Sequence, residues 1–200
     1  MSTTTRVSPP DHTARRVFDG FASRTTERRP FRPSRRLQLE TAALALLLSA
    51  SAATAQPRPT VVIDTDSGAI VVELAPDKAP LTVTNFLRYV DEHRYNGGAF
   101  YRAVTLRNQL PPEKQAQIEV IQGGIDGNTD RRLPSIAHEP TNVSGLRHVD
   151  GTISMARSAP GSASSEFFIV INDQPSLDAG GRRNPDGQGF SAFGRVLYGI

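Results

Sequence analysis

From residue 61 onward, short apolar runs are separated by clusters of Gly, Pro, Asn and Asp. Residues 61–64 are apolar and β-branched, Asp66-Ser67-Gly68 supplies a turn, and residues 69–74 follow, which is a hairpin signature. Pro80 suits the first turn of a helix, where its missing N–H costs nothing. Val83, Phe86, Leu87 and Val90 then recur at i, i+3, i+4 and i+7, one apolar face of a helix, and Asn96-Gly97-Gly98 ends it. Strand-like pieces follow at 99–104, 118–122, 152–155, 166–171 and 190–196. Residues 105–117, with Pro111-Pro112 and several charges, read as a solvated loop, and Asn184-Pro185-Asp186-Gly187 as a turn. Many short strands with one helix predict a mainly-β sandwich or barrel.

The first 56 residues have a different pattern. Residues 41–55 form a short apolar run that ends in small residues, with Arg35 and Arg36 just upstream. Ala53-Thr54-Ala55 reads as an A-x-A site, which predicts a signal peptide cleaved between Ala55 and Gln56. The run is shorter than the roughly 20 residues that span a bilayer, so no stable membrane span is expected after cleavage. Residues 1–34 are rich in Arg, Ser, Thr and Pro, like disordered sequence. Ser34-Arg35-Arg36-Leu37-Gln38-Leu39 partly resembles a twin-arginine export motif, with Gln38 in place of the usual aromatic. General secretion is the default expectation, and the mature protein is expected to be periplasmic or secreted. The predicted domains are 1–56, disordered n-region plus signal peptide; 57–60, linker; and 61–200, one folded domain.

Charge changes the picture only once it is divided at that boundary. Residues 1–56 hold nine Arg against four acids, while the rest of the chain holds fourteen Lys and Arg against sixteen Asp and Glu. The basicity therefore belongs to the leader. The folded part has no basic patch interleaved with aromatics, so no nucleic-acid partner is expected. The absence of cysteine excludes disulfides and thiolate chemistry. The histidines His12, His93, His138 and His148 show no metal-ligand spacing, and no metal or cofactor is expected. His138 and His148 read as polar loop residues. There is no G-x-S-x-G elbow around serines 162–165, and Gly187-Gln188-Gly189 does not extend to a dinucleotide fingerprint.

Four segments then stand out in order: Phe100-Tyr101-Arg102; Gln122-Gly123-Gly124; Ser154-Met155-Ala156 followed by Ser165-Glu166-Phe167-Phe168-Ile169; and Phe193-Gly194-Arg195-Val196. Together they resemble the cyclophilin family, from about Val61 to the chain end. The resemblance implies a cyclophilin-like closed antiparallel β-barrel, normally of eight strands, with flanking helices. It implies peptidyl-prolyl cis-trans isomerase (rotamase) activity on proline-containing polypeptides, assisting protein folding. In the family a helix and a final strand normally follow the last segment, so this domain is expected to be C-terminally truncated and more aggregation-prone than a longer version. A monomer is expected.

Rotation about an Xaa-Pro bond breaks no covalent bond and needs no nucleophile or metal. Amide resonance sets a barrier near ~20 kcal/mol, and the uncatalysed event takes tens to hundreds of seconds. A cation that hydrogen-bonds the prolyl nitrogen in the twisted state localises its lone pair and lowers that barrier. An arginine, permanently charged and planar, suits this role. By the resemblance, Arg102 is the catalytic arginine and Gln122 the residue that orients it. Phe168 matches the floor of a proline pocket, with Phe167 facing the opposite way into the core. Phe100, Val120, Leu177 and Phe190 match further pocket positions; packing in its loop accounts for Leu177 equally well. Ala156 and Arg157 match a segment whose main chain binds the substrate.

Several positions depart from the family. Glu119 falls where better-known members carry phenylalanine, Glu166 where they carry glutamine, and Phe190 where histidine is common. Ser176 stands where many eukaryotic members carry tryptophan, which should weaken cyclosporin binding. Altered substrate preference is expected, not loss of activity. The alternative is a non-catalytic chaperone module that binds proline segments. Arg102 paired with Gln122 favours the enzyme, because simple binding does not need that pair.

Overall fold

A computed structural model describes residues 58–199. The expected signal segment, its cleavage site and Pro57 lie outside the described residues. Seven strands form one antiparallel sheet: β1 (Thr60–Thr65), β2 (Gly68–Leu74), β3 (Ala99–Val104), β4 (Val120–Gly124), β5 (Thr152–Met155), β6 (Phe167–Val170) and β7 (Ser191–Tyr198). Their order is β1-β2-β7-β5-β6-β4-β3, which leaves β1 and β3 at the two edges. Helix α1 (Pro80–Asp91) and a single turn of helix, α2 (Thr141–Ser144), join this sheet. All seven strand candidates and the one expected helix are present. Strand β4 starts two residues later than its alternation predicts, because Gln109 pairs with the backbone of Ile118 on both sides. Its Nε2 donates to Ile118 O (2.7 Å) and its Oε1 accepts from Ile118 N (3.1 Å).

Strand alternation divides the apolar residues into two clusters. Phe167 and Ile169 of β6 face the larger cluster, with Ile121 of β4 packed against it. Their neighbours Phe168 and Val170, with Val120, face a smaller one. This is the period-2 pattern of a sheet buried on both faces. The larger cluster takes Val83, Phe86, Tyr89 and Val90 from α1, so Tyr89 joins the apolar stripe expected for that helix. Phe86 meets Tyr95, Phe167 and Phe193 with ring centroids 5.1–5.6 Å apart, the spacing of favourable tilted and edge-on pairs.

Helix α1 has no capping side chain of its own at Ala79. Buried Glu139 takes that role from a distant loop. Its Oε1 accepts from Leu81 N (3.1 Å), and its Oε2 accepts from Thr82 N (2.8 Å) and Thr82 Oγ1 (2.6 Å). A carboxylate suits the free N–H groups and the positive end of the helix dipole. The helix and the turn after it are tied to the segment before β6: Asn85 Nδ2 donates to Ser164 O at 2.6 Å, and Tyr95 Oη, beyond the helix end, to Ser165 O at 3.0 Å. These ties hold the larger cluster closed and fix the strand that carries Phe168.

Candidate active site

The smaller cluster is not closed over. Phe168, Phe190, Leu177, Val120, Ile118 and Val104 form the walls of a cavity of about 300 Å³, and Ala156 lies against them. Phe168 and Phe190 meet edge-on, with centroids 5.3 Å apart. Arg102, Gln122, Arg157, Gln115, Arg183 and Asn184 supply its polar lining. Of the nine site residues expected from sequence, eight line this one cavity: Arg102, Gln122, Val120, Ala156, Arg157, Phe168, Leu177 and Phe190. Phe100 is the exception and is corrected here. Its ring stands edge-on to Phe167 at 5.8 Å and lines a separate apolar hollow with Ile63, Phe86 and Tyr95. Strand geometry turns it to the core face.

Arg102 and Gln122 are register partners on β3 and β4. The pairing shifts between Phe100 and Arg102, leaving Tyr101 as the extra residue of a bulge. Adjacent strand residues normally point to opposite faces, but the bulge lets both Tyr101 and Arg102 reach one glutamine. Arg102 Nη1 donates to Gln122 Oε1 at 3.3 Å. Gln122 Nε2 donates to Tyr101 Oη at 2.8 Å, and Tyr101 Oη donates to Glu166 Oε2 at 2.7 Å. The other carboxylate oxygen accepts from Ser165 Oγ at 3.0 Å. The order is chemically determined: a guanidinium only donates, so the amide oxygen of Gln122 must face it and the amide NH2 must face Tyr101. Partial burial, then the Glu166 carboxylate, hold the Tyr101 phenol well above its ordinary pKa, so it remains a donor.

Of the two glycines after Gln122, Gly124 makes room for this chain and Gly123 for the neighbouring strand. A Cβ on Gly124 would overlap the Glu166 carboxylate, and one on Gly123 would lie 2.9 Å from the Phe100 ring. Sequence reading missed Tyr101 as the middle of this relay, because simple alternation puts it on the opposite face from Arg102. It also missed Ile118. Glu119 does not face the cavity; it accepts from Asn172 Nδ2 at 3.2 Å. Ile118, Val120 and Gln122 line it together, and their i, i+2, i+4 spacing was the available signal.

Arg157 contributes its side chain, not only its main chain. It forks onto Asp186 through Nη1 (2.7 Å) and Nη2 (2.9 Å), donates through Nε to Gly189 O (2.8 Å), and lies 5.2 Å from the Phe190 ring centroid. This clamps the loop before β7 against the cavity wall. The same fork, then the Gln188 backbone N–H, lowers the Asp186 pKa to about 2.

His148 is the second surprise. It is 1% exposed, not a surface loop residue, and stacks behind Phe168 at 6.0 Å. Its Nδ1 lies 2.8 Å from Asp178 Oδ1 and its Nε2 lies 2.9 Å from Ser154 Oγ. Burial holds its pKa below the ordinary value against the opposing pull of Asp178. The neutral ring therefore donates through Nδ1 and accepts from Ser154 through Nε2. This Asp-His-Ser order resembles a nucleophilic triad, but Ser154 has no exposed surface, so no substrate carbonyl can reach it. The chain of bonds instead braces the cavity floor from behind.

The comparisons with known proteins agree with this geometry. The family model described as cyclophilin type peptidyl-prolyl cis-trans isomerase/CLD matches residues 60–200. The peptidyl-prolyl cis-trans isomerase cyp18 of Streptomyces antibioticus is 37% identical over 144 residues, covering 70% of this chain and 78% of that protein. The peptidyl-prolyl cis-trans isomerase B of Escherichia coli strain K12 is 33% identical over 143 residues, covering 70% and 79%. In fold, the chain is similar to a cyclophilin-type isomerase of Cryptosporidium parvum, with a TM-score of 0.52, 22% identity, and coverage of 69% and 76% of the two chains. With the whole described sheet inside the family match, the chain belongs to the cyclophilin-type peptidyl-prolyl cis-trans isomerase family.

Proposed function

We propose that Arg102, held by Gln122 at the mouth of the Phe168 cavity, is the group that accelerates Xaa-Pro rotation in this isomerase. The proline ring packs on Phe168 and Phe190, whose faces are apolar and already in place. The Arg102 guanidinium then meets the prolyl nitrogen as that nitrogen turns pyramidal. It stabilises the twisted state more than either planar isomer, which is what raises a rate rather than an affinity. Gln122 limits the swing of the guanidinium, so little reorganisation remains when the bond twists. The observation that carries this reading is the directional chain from Arg102 through Gln122 and Tyr101 to Glu166. A pocket that merely holds proline has no need of it.

The test is the cis-to-trans rate of an Ala-Pro peptide with the full chain and its Arg102→Ala variant. Loss of one preorganised donor lowers kcat/KM by about a hundredfold. A folded parent that binds the peptide without accelerating it points instead to a binding module.

The substrates we propose are exported polypeptides, a reading supported by the apolar run at 41–55 and its A-x-A ending. The mature protein, recovered from the periplasm or medium, should begin at Gln56. Recovery of the intact chain from the cytoplasm alone would overturn that part.

A further inference from the structure

The cavity lining contains three guanidiniums, those of Arg102, Arg157 and Arg183, and no carboxylate. Arg157 is neutralised by its fork onto Asp186. Arg102 and Arg183 have no acidic partner among the described residues. Arg183 is 9% exposed, and a cation that keeps so little access to water and has no counter-ion beside it is a natural partner for an anion in the cavity. It is also firmly placed. Its Nη1 donates to Gln109 Oε1 (2.9 Å) and Ala116 O (2.8 Å). Its backbone N–H donates to Ser176 O (3.1 Å), and its carbonyl accepts from Gln115 Nε2 (3.3 Å). The 105–117 loop and the segment after Leu177 thus join through this one residue, beside the cavity.

These bonds use only Nη1. The Nε and Nη2 donors of Arg183 have no partner among the described residues. Burial and the like charge of Arg102 both act against the protonated form of Arg183, so the two cations feel one another across the same space. An anion placed there serves both cations: it partners two guanidiniums and supplies acceptors for the Nε and Nη2 donors of Arg183.

We propose that Arg183, with Arg102, makes the proline cavity selective for Xaa-Pro segments that present a carboxylate beside the proline. The carboxylate can come from a neighbouring Asp or Glu side chain or from a chain that ends at or next to the proline. Arg183 is then a specificity residue for the isomerase proposed above, and this inference rests on that reading. The loop that carries it can select substrates without altering the Arg102–Gln122 pair.

The test compares isomerisation of matched peptides with the full chain: Glu against Gln on either side of the proline, and a free C-terminal carboxylate against its amide. For the parent, kcat/KM is expected to favour at least one acidic member of these pairs by about fivefold at low salt, with the preference shrinking as salt is added. Which pair shows it separates side-chain from chain-end recognition. The preference should vanish in Arg183→Gln and survive in part in Arg183→Lys. If Arg183→Gln does not fold, the guanidinium resonance of Arg183 in the parent decides: it should shift on adding the preferred acidic peptide and stay in place with its neutral partner. A parent active on all peptides alike overturns this inference and leaves the isomerase reading intact. So does an acid preference that persists in Arg183→Gln, or a guanidinium resonance indifferent to the carboxylate. A parent inactive on every peptide overturns the isomerase reading itself.

Discussion

Phe167 and Phe168 are neighbours in one strand, equally buried at 4% exposure, yet they sit on two different kinds of surface. Phe167 faces the larger cluster, where Phe86, Tyr95 and Phe100 surround it with aromatic edges. Phe168 faces the smaller cluster, where Phe190 and His148 support it but a cavity is left open in front. The first face is held shut by α1 and keeps only a small hollow of about 20 Å³. The second is braced from behind, by the His148 bonds and the Arg157 clamp, and left unfilled. One strand therefore separates stability from chemistry by alternation alone. A close-packed face tolerates no loss of volume, whereas a braced cavity needs only that its walls stay in place.

The sharpest way to break the comparison is to truncate each ring. Phe167→Ala removes a side chain from a packed site and should cost about 3–5 kcal/mol of unfolding free energy in denaturant titration. Phe168→Ala enlarges a space that is already open to solvent, so the cost should be nearer ~2 kcal/mol, while KM for a proline peptide rises steeply. Equal stability losses with equal residual activity would erase the distinction between the two faces.

The next effect is catalytic. Tyr101→Phe and Glu166→Ala leave Arg102 and the walls in place but remove the donor to, or the acceptor at, the end of the chain that orients Gln122. Each should lower kcat by up to about tenfold, the scale of one or two hydrogen bonds, with KM little changed. A matching rise in KM at constant kcat would mean that the chain serves binding and not the orientation of Arg102.

The smallest effect is a pH dependence of stability. His148 is held below its ordinary pKa when folded, so below about pH 6.5 the unfolded chain takes up a proton that the native fold resists. Stability is fully present above that value and declines as the pH falls beneath it. The slope is at most about 1.4 kcal/mol per pH unit. Asp178 faces the same ring and pulls the other way, so the window lies close beneath the ordinary histidine value. Thermal midpoints measured from pH 7.5 to 5 should fall for the parent and be flatter for His148→Asn. A parent whose midpoint is level across that range would contradict a neutral, buried His148.

The strands and the helix were legible in the sequence because they follow local rules, whereas most of the cavity was legible only through the resemblance of several separated motifs to one family. Alternation marks Phe167 against Phe168, and a 3.6-residue period marks the stripe of α1. What stayed hidden depends on contacts between distant segments. Glu139 caps α1 across 57 residues, and no pattern near Pro80 announces it. His148 lies in a loop by sequence but is covered by Asp178, Ser154 and two phenylalanines that come from elsewhere. Phe100 was misplaced and Tyr101 missed for a single reason: one inserted residue in β3 shifts the facing of its neighbours, and bulges leave no periodic trace. Arg183 sits in a turn-rich stretch that looks solvated until the 105–117 loop closes on it.

The central claim is that Arg102 acts on the twisted bond and not on binding. It is tested most directly by NMR exchange on an Ala-Pro peptide held by the full chain, which reads binding and cis-trans interconversion in one sample. The parent should bind the peptide and interconvert its isomers far faster than the tens of seconds of the free peptide. Arg102→Ala should bind with similar affinity and lose most of that acceleration. Exchange in Arg102→Ala as fast as in the parent would contradict the account.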